Sequence, residues 1–60
     1  MEFKVKSNKN GYFVDWVGEK PCFNPNMIFG KRLSETEAED LIRLLVEKYP
    51  GEKFDACNVK

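Results

Sequence analysis

The sequence predicts a small α+β domain: a mostly antiparallel sheet of three to four strands with one helix packed on one face. Three observations carry this. Residues 2–17 hold two runs of strand character around an Asn-Gly pair. Residues 34–49 hold a capped amphipathic helix. Residues 52–59 alternate again after a Pro-Gly stop. At 60 residues the chain is a single domain spanning 1–60.

Glu2-Phe3-Lys4-Val5-Lys6 alternates polar and apolar, the period of a half-buried strand. Asn10-Gly11 is a hairpin signal, because both residues tolerate positive φ. Gly11 to Val17 is rich in strand formers. A two-residue Asn10-Gly11 turn pairs Lys9 with Tyr12, Lys6 with Asp15 and Val5 with Trp16. One face then carries Phe3, Val5, Tyr12, Val14 and Trp16. The other carries Lys4, Lys6, Phe13, Asp15 and Val17, with a Lys–Asp pair across the strands.

Gly18 to Asn26 reads as a loop, because Pro21 and Pro25 cannot donate to a ladder. Met27-Ile28-Phe29 is a short apolar run, expected as a third strand. The helix follows. Ser34 is its N-cap, and Glu37 three residues on completes a capping box. Leu33 before the cap can staple against Ala38. Glu35, Glu37, Glu39 and Asp40 crowd the positive end of the helix dipole, and Lys48 sits near the negative end. Ala38, Leu41, Ile42, Leu45, Val46 and Tyr49 recur at the helical period and form the buried stripe. Pro50-Gly51 stops the helix. Glu52 to Val59 reads as a last strand, free to add to either edge or to sit beside Phe3–Lys6.

Composition excludes most chemistry. There is no histidine, so the commonest general base is missing. No Walker, GxSxG or GxGxxG pattern is present. Cys22 has no imidazole partner for a nucleophilic role. The carboxylates at 35, 37, 39 and 40 are explained by their place at the helix start. Cys22 and Cys57 cannot complete a four-ligand zinc site. No catalytic residue, metal or cofactor is therefore expected. No apolar run is long enough for a signal peptide or a membrane span. The expected location is cytoplasmic, with both cysteines as free thiols.

Ten basic and ten acidic side chains cancel. Their distribution does not. Residues 1–32 hold Lys4, Lys6, Lys9, Lys20, Lys31 and Arg32 against Glu2, Asp15 and Glu19, a balance of +3; the remainder carries −3. The acidic helix face is either a solvated, well-capped surface or a rim for a basic partner. The hairpin lysines either guard a sheet edge or, with Phe13, contact single-stranded nucleic acid.

Exposed apolar side chains are the strongest functional signal. One helix cannot cover both faces of a sheet. Phe13 and Val17 fall on the face away from it, Leu44 falls off the helix stripe, and Phe23, Met27 and Phe29 crowd a proline-containing segment. Either some of these form an interaction patch, or the Cys22–Phe29 segment folds back over the second face.

The stretch from Leu33-Ser34-Glu35-Thr36-Glu37-Ala38-Glu39-Asp40-Leu41-Ile42 through Tyr49-Pro50-Gly51-Glu52-Lys53-Phe54 resembles short accessory proteins of phages and mobile elements. It covers about a third of the chain. The resemblance implies a binding protein that modulates a partner and transfers no functional residues.

The leading expectation is thus a non-enzymatic protein-interaction module that modulates or inhibits a partner protein. Its expected partner-binding residues are Phe13, Val17, Phe23, Met27, Phe29 and Leu44, with Glu37 and Asp40 as rim charges. One alternative is binding of single-stranded nucleic acid through Lys4, Lys6, Phe13 and Lys31. Another is a structural subunit that assembles as a homodimer or larger homo-oligomer.

Overall fold

The computed structural model describes residues 2–59. Strands β1 (Glu2–Ser7), β2 (Gly11–Val17) and β3 (Lys20–Asn24) are followed by a single 3₁₀ turn at Met27–Phe29, helix α1 (Glu35–Lys48) and strand β4 (Phe54–Val59). The four strands form one sheet in the order β3-β2-β1-β4, with every pairing antiparallel. The helix lies against one face. This is the α+β architecture that the alternation and the capping box predict.

The first hairpin forms in a different register. Lys6 lies opposite Tyr12 and Ser7 opposite Gly11. The turn is therefore Asn8-Lys9-Asn10, three residues long. A two-residue Asn-Gly turn of the I′ kind needs positive φ at both positions, and only Gly11 has it, at +96°. The Ser7 hydroxyl supplies the competing force. It accepts from the Lys9 and Asn10 N–H groups at 3.1 and 3.3 Å and donates to Glu52 Oε1 at 2.8 Å. The slip of three residues is odd, so it exchanges the faces of β2. Phe13 turns inward beside Val5 and becomes part of the core, 2% exposed. The expected Lys6–Asp15 pair does not form. Instead the Lys6 ammonium lies 5.6 Å from the Tyr12 ring centroid.

A second correction concerns residues 18–26. They are not all loop: Lys20–Asn24 is the edge strand β3. Gly18, at φ +64°, begins a two-residue Gly18-Glu19 connection that places Val17 opposite Lys20. Strand alternation then aims the Pro21 nitrogen at the free edge, where no N–H is needed. The register between β2 and β3 shifts between Phe13 and Asp15, so Val14 is the extra residue of a β-bulge. A bulge resets the alternation. Phe13 and Trp16, three apart in sequence, consequently share the inner face, with ring centroids 5.6 Å apart and planes at 65°.

Met27–Phe29 is not a third strand either. Asn26 caps it by accepting from the Ile28 N–H at 3.1 Å, and the Gly30 N–H donates to Met27 C=O at 3.0 Å. The turn lies over the outer face of the sheet. There the Lys4 ammonium donates to Met27 C=O at 2.6 Å, and the space beside Gly30 is filled by Lys4 and Tyr12 side chains. From Gly30 the chain passes between the diverging ends of β1 and β2. The Lys31 N–H donates to Phe13 C=O at 2.8 Å, while Leu33 and Phe3 exchange two backbone hydrogen bonds at 2.7 and 2.8 Å. Residues 31–33 act as a short wedge that fills the splayed hairpin and delivers α1 to the inner face.

The helix begins as its sequence dictates. The Ser34 hydroxyl accepts from the Glu37 N–H at 3.2 Å, and Glu37 Oε1 accepts from the Ser34 N–H at 2.9 Å. Both residues of the expected staple, Leu33 and Ala38, are buried. Ala38, Leu41 and Leu45 face the sheet, and Ile42 and Tyr49 pack at the margin. Val46 departs from the expected stripe and is 45% exposed. Strand β4 then pairs with β1 along its whole length and forms the edge opposite β3.

The core joins Val5, Phe13, Leu33, Ala38, Leu41, Leu45 and Phe54. Burying a side chain such as Leu45 is worth about 1.5–3 kcal/mol. The sheet curls enough that Phe23 on β3 and Phe54 on β4 stack with centroids 6.3 Å apart, although two strands separate them. Phe23 also meets Phe13 edge-on at 6.0 Å.

Candidate protein-binding groove

The helix packs on β1 and β4, off the centre of the sheet. The inner face of β2 is left partly uncovered, and an open groove of about 290 Å³ runs between it and α1. One wall is helical. Glu37, Asp40, Leu41 and Leu44 lie at i, i+3, i+4 and i+7, so they share one face of α1. The other wall is Phe13 and Trp16, brought together by the bulge at Val14. Leu33 and Lys31 of the wedge close the end nearest the start of α1. Beyond the far end of the helical wall, Lys48 reaches across to β2 and to the connection between β2 and β3. Its ammonium lies 6.0 Å from the Trp16 ring centroid and donates to Glu19 C=O at 3.5 Å.

The groove has an apolar floor and charged edges. Lys31 pairs with Asp15 at 3.8 Å, and Asp40 with Arg43 at 3.7 Å. Both pairs are exposed and contribute little to stability. Among the described residues, Glu37 is the one group whose acidity is clearly perturbed. The Ser34 N–H and then the Ser34 hydroxyl stabilise its carboxylate and hold its pKa below the ordinary value of 4.5. It is therefore a persistent negative charge at the lip, suited to attracting a cation and poorly suited to proton transfer.

Of the residues expected to bind a partner, Phe13, Leu44, Glu37 and Asp40 converge on this groove. The reason for Phe13 differs from the expectation. It is not an outward-facing side chain but part of the buried floor. Val17, 69% exposed, lies at the end of β2 outside the groove. Met27 and Phe29 are exposed on the turn over the outer face, together with Ile28. Phe23 is half-buried in the aromatic cluster. Trp16, Leu33 and Leu41 also line the groove, and the sequence marks them only as apolar positions of a strand, a staple and a helix stripe.

The set expected for nucleic acid does not converge. Lys4 is 5% exposed, with its ammonium held by Met27 C=O. Its stem is packed against the turn, which removes it from the surface. Phe13 is buried, Lys6 lies over Tyr12, and Lys31 is paired at the groove. The second face is partly covered by the Met27–Phe29 turn, yet that turn leaves its own apolar side chains exposed.

Cys22 and Cys57 are free thiols on the two edge strands. Among the described residues no group of three or more His, Cys, Asp or Glu side chains could hold a metal ion. Among the described residues no helix is long and apolar enough to cross a membrane. No family model, curated protein or solved structure matches the chain.

Proposed function

We propose that the chain is a non-enzymatic protein-interaction module that modulates a partner by seating one of its apolar side chains in the groove between α1 and β2. The supporting observation is the groove itself: an apolar floor of Phe13, Trp16, Leu41 and Leu44 beside the persistent charge of Glu37. Apolar pockets with a few fixed charges are a usual form of recognition site. Trp16 suits the role of an anchor, since tryptophan is enriched among residues that dominate binding energy.

The test is affinity capture from the native host with wild type and with Leu44→Asp. Leu44 is 41% exposed, so the charge enters the groove without opening the core. A protein retained by wild type and by Lys9→Glu, which lies in the distant first turn, but lost by Leu44→Asp supports the reading. Equal retention by all three contradicts it. The alternative of single-strand binding has no comparable support, because Lys4 and Phe13 are buried.

A further inference from the structure

The Asn10-Gly11 pair does not form the two-residue turn that its sequence suggests, yet the fold holds both residues in place. Asn10 is exposed at the end of the first turn. Gly11 is imposed by its neighbours as well as by its φ of +96°. A Cβ there would lie 2.5 Å from the Asn24 carbonyl oxygen and 2.7 Å from Pro25 Cα. No residue with a side chain can replace it without moving backbone. The chemistry of the dipeptide is therefore fixed along with its geometry.

Asparagine is thermolabile, because its side-chain carbonyl carbon is open to attack by the backbone nitrogen of the next residue. A side chain on that next residue crowds the attack, and proline has no N–H to lose. Asn8 precedes Lys9, Asn24 precedes Pro25, Asn26 precedes Met27 and Asn58 precedes Val59. Asn10 alone precedes glycine. Its carboxamide is not loose. Nδ2 donates to Glu52 Oε1 at 3.0 Å, and the same oxygen accepts from the buried Ser7 hydroxyl at 2.8 Å. The Asn10 backbone N–H donates to that hydroxyl at 3.3 Å. Backbone and side chain of Asn10 are thus tied to one polar cluster. Ring closure breaks the bond to Glu52, because Nδ2 is the atom that leaves.

We infer that Asn10 is a self-modification site that Glu52 restrains. The Gly11 backbone nitrogen gives its proton to hydroxide and bonds to Asn10 Cγ. The Cγ–Nδ2 bond breaks, Nδ2 takes a proton from water and leaves as ammonia, and a five-membered imide remains. Water then opens the imide. Cleavage of the new N–Cγ bond leaves an aspartate at position 10, and cleavage of the original peptide C–N bond leaves an isoaspartate. In balance one water enters, one ammonia leaves, nothing is oxidised or reduced, and the chain gains one negative charge. The new carboxylate can only accept hydrogen bonds. It faces Glu52, so a hydrogen bond becomes a contact between like charges. The modification unties the first turn from the segment before β4, and it leaves the α1–β2 groove untouched.

The experiment is incubation of wild type, Glu52→Ala, Glu52→Asp and Gly18→Ala under mildly alkaline conditions, followed by site-resolved peptide mass spectrometry and isoaspartate detection. Gly18→Ala weakens a different turn and controls for general loosening. Glu52→Asp keeps the charge and shortens the reach, so it decides the question where Glu52→Ala does not fold. The expected result is modification confined to position 10, severalfold faster without the Glu52 side chain than in wild type or Gly18→Ala. Three results overturn the proposal: no modification in any of these proteins, another asparagine modified at the same pace, or a Glu52 variant no faster than wild type. A rate raised as much by Gly18→Ala as by Glu52→Ala also overturns it, because general opening of the fold would then set the rate.

Discussion

Trp16 presents its ring edge-on to Phe13, with centroids 5.6 Å apart, across a β-bulge that spaces the two residues by three instead of two. Phe13 belongs to the core and Trp16 to its rim. Together they make the floor on which the groove is built. Replacing Phe13 by Ala should cost about 3–5 kcal/mol. That is most of the stability available to a domain of this size. Trp16→Ala should cost clearly less, because Trp16 is only partly buried. Urea unfolding followed by far-ultraviolet circular dichroism measures both. Equal, small losses would contradict the buried placement of Phe13.

The first turn makes a paired prediction about glycine. Gly11 sits at φ +96°, and a methyl group there would lie 2.5 Å from Asn24 C=O oxygen and 2.7 Å from Pro25 Cα. Both are backbone atoms and cannot swing aside. Gly18 sits at φ +64° with open space around it. Gly18→Ala should therefore cost roughly 1 kcal/mol, the conformational penalty alone. Gly11→Ala should cost more, since steric overlap adds to the conformational penalty. Denaturation midpoints for the two variants give the order directly. A Gly11 variant no less stable than the Gly18 variant would refute the observed register.

Ser7 ties the turn to the segment before β4. Its hydroxyl is buried, accepts from two backbone N–H groups and donates to Glu52, which also accepts from the Asn10 side-chain amide at 3.0 Å. Ser7→Ala leaves those donors without their buried acceptor and should cost about 1–3 kcal/mol. Hydrogen exchange localises the effect. The amides of Lys9 and Asn10 should lose protection, while the α1 amides change only by the global loss of stability.

Glu37 contributes a defined pH dependence. Its folded-state pKa lies below the ordinary 4.5 through its hydrogen bonds with Ser34. A carboxylate with a depressed folded pKa stabilises the fold above its unfolded pKa, and that contribution is lost as pH falls through the folded value. Thermal stability should therefore decline on acidification below the ordinary carboxylate range. Glu37→Gln keeps a side-chain acceptor for the capping box but cannot titrate. Its melting temperature should fall less between neutral and acid pH than that of wild type. An identical decline in both proteins would remove Glu37 from the account.

These residues also show where sequence patterns suffice. The helix is legible because its determinants are local: Ser34 and Glu37 are three residues apart, and Leu41 and Leu45 follow the helical period. The register of β1 and β2 is not legible. The Ser7 hydroxyl competes with the Asn10-Gly11 turn through a bond to Glu52, 45 residues away. Strand β3 is hidden by Pro21, which is harmless only because this strand lies at an edge. The bulge at Val14 has no sequence mark, yet it sets which face Trp16 occupies. Of the candidate site, the helical wall at Glu37, Asp40 and Leu44 follows from the helical wheel. The opposing wall depends on the slip and the bulge, so Trp16 and Leu41 read as ordinary core.

The central claim is that the groove between α1 and β2 is a protein-binding surface. Its most direct test is an amide-resolved NMR titration of labelled chain with any protein that affinity capture retains on wild type and loses on Leu44→Asp. Trp16 is the only tryptophan, so its indole N–H gives one unambiguous signal at the floor of the groove. The account predicts shifts at that indole and at the Leu41 and Leu44 amides, and their loss in Leu44→Asp. Shifts confined to β4 or to the outer face, with the Trp16 indole unmoved, would contradict it.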